Sequence, residues 1–287
     1  MKLSHLLVVL ASTVLLDGCA LSDTENPFGA EDFDVPFETA GANFEPPAGT
    51  NGLLPTCFWD HGSQEALRAL GKVALTSGPG GGLPVLPTVP AACREVVQYA
   101  VECALNPAQS VTDPVNGMTY TGHWSLADTW YSEALSYDGK RWVTACMLQR
   151  LNVDGDNVEV LMEANHPRMY QSAVNDAVYT FEESSAYGNL FDSRATLYNG
   201  RPTFYAYVCS EAEQAQSCPL AGGQPWINKR VCHLAGNECG LVWLGTCPSA
   251  CVPNGPNDEY WSCKPANGLV YNDYTMRVQL KNPTACY

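Results

Sequence analysis

From Leu53 onward the chain alternates between stretches of helical and of strand periodicity. Ser63 suits the N-cap of a short helix over residues 64–72, with Ala66, Leu67 and Leu70 on one face. The run Gly78-Pro79-Gly80-Gly81-Gly82 breaks all periodicity and predicts a loop. Pro90 then opens a second helix, where its missing N–H costs nothing. Ala92, Val96, Val97, Ala100, Val101 and Ala104 recur at helical spacing as far as Leu105, and Asn106-Pro107 stops them. Residues 118–124 read as a strand, and residues 126–135 as a turn of helix around Trp130. Residues 139–151 carry a broad apolar arc: Trp142, Ala145 and Cys146 on one stripe, Val143, Met147 and Leu151 on the next. A helix apolar over so wide an arc belongs at the centre of a fold.

Beyond the turn at Asp154-Gly155, strands are predicted over residues 158–162, 174–182 and 204–209. Residues 183–192 read as a loop turning at Gly188-Asn189, and the adjacent Glu182 and Glu183 as a surface charge pair. Strand-like alternation returns at residues 269–280. The expected fold class is α+β: a few core helices packed with antiparallel strands, over residues 53–208 and completed by residues 266–287. Residues 209–265 differ in texture. Cys209, Cys218, Cys232, Cys239, Cys247, Cys251 and Cys263 crowd together there among Gly and Pro. That pattern predicts a loop-rich subdomain held by disulfides rather than by a core.

The first residues form a pattern of their own. Lys2 precedes Leu6 to Leu16, an apolar run broken only by Ser12 and Thr13, and Leu16-Asp17-Gly18-Cys19 follows. The run is too short to cross a hydrocarbon core of about 30 Å. With its positive flank it reads as a signal peptide over residues 1–18. Its ending resembles the lipobox of bacterial lipoproteins, which implies lipid attachment at Cys19 and anchorage to a membrane. Asp17 departs from the small residue common at its position. Ala20, where an Asp would favour the inner membrane, points to the outer membrane. Residues 19–52 read as an extended tether, with Asp23, Glu25, Glu31, Asp32, Asp34, Glu38 and Glu45 and no Lys or Arg. Phe28, Phe33, Phe37 and Phe44, spread through it, also fit a segment that a partner recognises.

Charge and cysteine count sharpen this picture. The net charge of −15 disfavours nucleic acid as a partner. The 13 cysteines are odd in number. Giving Cys19 to lipid leaves an even set: Cys57, Cys93, Cys103, Cys146, Cys286 and the seven of residues 209–263. Export favours disulfides for all of them. No Cys-x2-Cys pair suggests zinc, and neither a metal nor another cofactor is expected. Cys93 and Cys103 share one helix, ten residues or about 15 Å apart, so each must reach another element. Cys146 is expected to pair with one of the two. Five and seven are both odd, so at least one bridge should join the cysteine-rich stretch to the rest.

Three strings, Val101-Glu102-Cys103-Ala104-Leu105, Arg141-Trp142-Val143-Thr144-Ala145-Cys146 and Tyr187-Gly188-Asn189-Leu190-Phe191, resemble a group of cysteine-rich secreted proteins abundant in myxobacteria. The resemblance covers roughly residues 90–265. It implies an exported, disulfide-bonded single fold and carries no activity with it.

Catalytic motifs are missing. The sequence has no Gly-x-Ser-x-Gly, His-Glu-x-x-His, Walker loop or Gly-x-Gly-x-x-Gly. His61, His123, His166 and His233 are scattered, and Asn152, Asp154 and Asp156 lack the order of a calcium loop. The aromatic residues are the better clue, with 7 Trp and 14 Tyr. Trp124, Trp130 and Tyr131, then Trp243, Tyr260 and Trp261, fall in loop-like stretches and are candidates to bind carbohydrate or an envelope protein. The expected function is therefore a non-catalytic envelope lipoprotein, structural or binding. The alternative is an envelope hydrolase with a carboxylate and histidine site assembled by the fold.

Overall fold

The structure, a computed structural model, describes residues 49–152, 158–169, 178–192, 197–198, 201–202, 205–211, 241–253, 260–263 and 274–280. All belong to one compact unit, Phe44–Tyr287. The fold is α+β, as the periodicities predict. Its centre is a six-stranded mixed sheet. In chain order the sheet strands are β1 (Gly49–Asn51), β4 (Val158–Ala164), β5 (Phe181–Asn189), β8 (Tyr205–Ser210), β9 (Leu241–Thr246) and β12 (Met276–Leu280). They lie side by side as β1-β4-β12-β5-β8-β9. Every pair is antiparallel except β8 and β9. The remaining strands form small pairs: β2 (Ser110–Thr112) with β3 (Thr119–Thr121), β6 (Leu197–Tyr198) with β7 (Arg201–Pro202), and β10 (Cys251–Pro253) with β11 (Tyr260–Cys263).

The described helices are α1 (Pro55–Phe58), α2 (His61–Leu70), α3 (Glu95–Ala104), α4 (Tyr137–Gln149) and α5 (Cys247–Ala250). Asp60, not Ser63, caps α2: its side chain accepts from the Ser63 N–H, and Ser63 is buried one turn in. Both are good cap residues, and the carboxylate three positions earlier reaches the free N–H first. The predicted second helix begins as a short 3-10 turn at Ala91–Cys93 before α3. The helical turn expected around Trp130 is present as a 3-10 turn at Asp128–Tyr131.

α4 is central. Ser136 caps it by accepting from the Gly139 N–H, and every residue from Trp142 to Gln149 is buried. One side packs on α3, where Cys103 and Cys146 bond to each other. The other side packs on β5 and β12. Polar residues in this interface are matched. The Gln149 side chain donates to the carbonyls of Ser184 (3.2 Å) and Met276 (2.7 Å) and accepts from Ser184 Oγ (3.1 Å). Thr144 Oγ1 accepts from the Leu190 N–H at 3.0 Å. At the far end of the core Arg94 holds the buried Asp113 at 2.5 Å, and Tyr120 Oη donates to the same carboxylate oxygen at 3.1 Å.

The largest departure from the sequence reading is β5. Residues 183–189 form a strand, not a loop, and only from Phe181 does the expected strand at 174–182 begin; its residues 174–177 lie outside the description. β5 lies between β12 and β8 and is buried on both faces, so its sequence shows no alternation. Glu183 is accordingly buried, not half of a surface pair. The boundary expected at Cys209 falls inside β8, and β9, from the cysteine-rich stretch, pairs with β8 in the main sheet. That stretch thus shares the central sheet.

Candidate functional site

The start of α4 places Tyr137 and Asp138 at the surface and Arg141, one turn on, half-buried. Tyr137 and Arg141, four residues apart on a helix, are neighbours. The guanidinium lies 4.4 Å from the Tyr137 ring centre and 5.3 Å from that of Tyr274, and Nη2 donates to Tyr137 Oη. Trp142, one residue further, faces inward and meets two rings edge-on, His166 at 5.1 Å and Tyr274 at 5.2 Å. The sheet register brings these rings together. Met276 pairs with Ala164, so Tyr274 before β12 and His166 after β4 stand at the same end of adjacent strands. The result is an aromatic shelf with an arginine set into it.

Its polar groups are defined. Tyr274 Oη donates to Asp138 Oδ1, and burial with that carboxylate raises the Tyr274 pKa. His166 Nδ1 accepts from the Arg168 N–H at 3.2 Å, which leaves Nε2 to carry the ring proton. Burial, helped by the Arg168 charge, lowers the His166 pKa to about 4, so the ring is neutral near pH 7. Beside the shelf Lys140 pairs with Asp192 at 2.8 Å. Burial pushes the Asp192 carboxyl up, but the Lys140 ammonium and the Asn189 amide together hold it below its ordinary value.

The residues singled out in the sequence fare unevenly. Trp124 and Trp130 offer no binding face: they are 1% and 0% exposed. Trp130 Nε1 donates to the carbonyls of Leu70 (3.3 Å) and Val73 (3.1 Å) at the end of α2, and its ring meets Phe191 edge-on. Tyr131 is partly buried against the same core. Trp243, 41% exposed on β9, remains at the surface beside Val242. Tyr260 and Trp261 lie on β11, and their side chains lie outside the description. The shelf residues carried one readable signal, the Tyr137/Arg141 spacing. Tyr274 and His166 join only through strand register, which no local pattern gives.

Eight of the twelve cysteines expected to pair do so in the described residues: Cys57–Cys93, Cys103–Cys146, Cys209–Cys247 and Cys251–Cys263. Cys146 thus chooses Cys103. Cys19, Cys218, Cys232, Cys239 and Cys286 lie outside the description. The sulfurs of Cys209, Cys251 and Cys263 are within 4.8 Å of one another. All three are spent in disulfides, so none is a thiolate available to a metal.

Carboxylates also converge on the sheet face opposite α4. Arg277 lies 2.9 Å from Glu163 and 3.2 Å from Glu182, and Ser185 Oγ donates to Glu211 at 3.3 Å. The side chains of Ala164 and Met276 point to the α4 core, so Glu163 and Arg277 point away from it. The His166 ring packs on Trp142 of α4 and so stands apart from these sheet-face carboxylates. Among the described residues, no helix is long and apolar enough to cross a membrane. Comparison of the chain with family models, curated proteins and solved structures returns no match.

Proposed function

We propose that this chain is a non-catalytic lipoprotein of the bacterial outer membrane, anchored through Cys19, whose folded part holds a polymer or protein of the envelope on the α4 shelf. The observation that carries the reading is the exposed Tyr137, 54% open to solvent, set with Arg141 and Tyr274 over a buried Trp142. An exposed tyrosine beside a fixed cation suits recognition. The pairing of eight cysteines supports an oxidising compartment.

Intact mass measurement of the membrane fraction tests the anchor. The expected chain begins at an acylated Cys19, and Cys19→Ser moves it to the soluble fraction. Co-sedimentation with isolated envelope polysaccharide and envelope protein fractions tests the shelf. The wild-type chain should sediment with one of them, and a Tyr137→Ala/Tyr274→Ala chain of unchanged circular dichroism should not. An unacylated chain, or equal sedimentation of both chains, would overturn the corresponding half of the reading.

A further inference from the structure

We propose that the ligand of the α4 shelf is a uronate-bearing saccharide, whose carboxylate pairs with Arg141 while its pyranose ring lies on the shelf tyrosines. This deepens the binding reading above and rests on it.

The argument starts from charge. Acidic residues outnumber basic ones 30 to 15 in this chain, so carboxylates are in ample supply for any arginine. The other arginines of the core take them: Arg94 pairs with Asp113, Arg150 with Glu102, and Arg277 with Glu163. Arg141 does not. Among the described residues it forms no salt bridge, and its Nε is buried without a hydrogen-bond partner. Asp192 lies near enough to feel its charge but is bonded to Lys140. The exposed Arg168, next to His166 on the same shelf, likewise forms no salt bridge among the described residues. Neither guanidinium is thus tied up in a salt bridge among the described residues, although Asp192 lies near enough to Arg141 to feel its charge. The Arg141 guanidinium is also fixed in position between two rings.

A rigid guanidinium favours a planar anion that takes two parallel hydrogen bonds, a carboxylate or a phosphate. The rest of the shelf distinguishes a sugar acid from a bare anion. The exposed part of the Tyr137 ring gives apolar surface of the kind that packs on the C–H face of a pyranose. Asp138, exposed and with one oxygen taken by Tyr274, can accept from a sugar hydroxyl through the other. The neutral His166 carries a proton on Nε2 and so can donate to one. A cation, flat apolar surface, an acceptor and a donor are together what a uronate residue presents partners for. The protein's net charge of −15 repels a polyanion at long range but is screened beyond roughly 8 Å at physiological salt, so the contact is decided locally.

The test is calorimetric titration of the full chain with oligogalacturonate and oligomannuronate. Their fully methyl-esterified forms and poly-glutamate serve as controls. Binding of one uronate oligomer is expected, weakened at least tenfold by methyl esterification and at least tenfold by Arg141→Gln. Arg141→Lys should recover only part of the loss, because an ammonium cannot make the paired contact. Poly-glutamate should bind at least tenfold more weakly than the uronate. Equal binding of acid and ester would overturn the uronate assignment while leaving the shelf a saccharide site. Equal binding of poly-glutamate would reduce it to charge alone. Failure of every saccharide to bind a chain of native circular dichroism would overturn the uronate assignment. If Tyr137→Ala/Tyr274→Ala also leaves co-sedimentation with envelope fractions unchanged, the binding reading falls with it.

Discussion

The sulfur of Cys209 lies 3.5 Å from that of Cys251, although each is bonded elsewhere, to Cys247 and Cys263. Neither sulfur carries a proton, so this is a contact between two disulfides and not a hydrogen bond. Both bridges are buried with the stacked rings of Tyr187 and Tyr207.

That contact makes a prediction about exchange. In a Cys247→Ser chain, Cys209 becomes a thiol beside an intact disulfide. Attack on Cys251 would form Cys209–Cys251, break Cys251–Cys263 and release Cys263 as the thiolate. Displacement at sulfur needs an in-line approach, and this one comes from the side. All three sulfurs lie within 4.8 Å of one another, closer than a straight line through the 3.5 Å contact and an ordinary S–S bond of about 2.05 Å allows. The expected outcome is that Cys251–Cys263 persists and Cys209 stays a free thiol, resistant to alkylation until the chain unfolds. Peptide mapping without reduction reads this directly; a Cys209–Cys251 peptide would overturn it.

The bridges should differ in their effect on stability. Cys103–Cys146 spans 43 residues and Cys251–Cys263 spans 12. Loop-closure entropy gives about 4 kcal/mol for the first and about 3 kcal/mol for the second. Replacing each pair with alanine and following urea unfolding should show the larger loss for the helix staple. The reverse order would mean that unfolded-chain entropy does not dominate.

Gln149 supports a third prediction. Its amide serves two buried strand carbonyls and the Ser184 hydroxyl, at the seam between α4 and the sheet. Gln149→Leu leaves the two carbonyls without that donor and the hydroxyl without that acceptor in a buried seam. A loss of about 2–4 kcal/mol is expected, since two or three buried polar groups each cost about 1–3 kcal/mol and the leucine recovers part through its own burial. Gln149→Glu should be at least as severe, because the carboxylate offers no N–H. Urea midpoints of the two variants decide the matter, and a change below 1 kcal/mol for Gln149→Leu would remove the role given to this residue.

These features differ in how far the sequence reveals them. α4 was legible because its apolar residues cover most of its circumference, which only a helix buried on two sides requires. β5 was not, for the opposite reason: Glu183, Ser184 and Ser185 look like loop residues until Gln149 and Glu211 are found bonded to the two serines. Ser63 and Asp60 are nearly equal as cap residues by type, and only the backbone decides for Asp60. Trp124 and Trp130 read as exposed because their neighbours are polar and turn-forming. Trp130 can be buried because its indole N–H finds the carbonyls of Leu70 and Val73 where α2 ends, a partnership that local sequence does not display. The shelf was half visible. The Tyr137/Arg141 pair follows from helical spacing, while Tyr274 stands more than 100 positions away from both and arrives through the β4–β12 register.

The last prediction concerns acid. His166 keeps part of its edge in solvent, yet its ring packs on Trp142 and lies close to the Arg168 charge. Its folded pKa is lowered from 6.5 to about 4. Between those values the unfolded chain binds a proton at this residue and the folded chain does not, so stability rises with pH across the window. The contribution is fully present above pH 6.5 and is lost as the pH falls to about 4; below that both states are protonated and the loss is complete. About 3 kcal/mol is at stake, from 1.36 kcal/mol per pKa unit. Carboxylates titrate in the lower part of the same window, so the measurement is the difference between the wild-type chain and His166→Gln in urea unfolding from pH 4 to pH 7. The wild type should lose more stability than the variant on acidification. The imidazole resonances should titrate with a midpoint about 4, and Arg168→Gln should move that midpoint upward by removing the like charge. A midpoint near 6.5, or parallel stability curves for the two chains, would show that the ring is not held neutral by its place against Trp142.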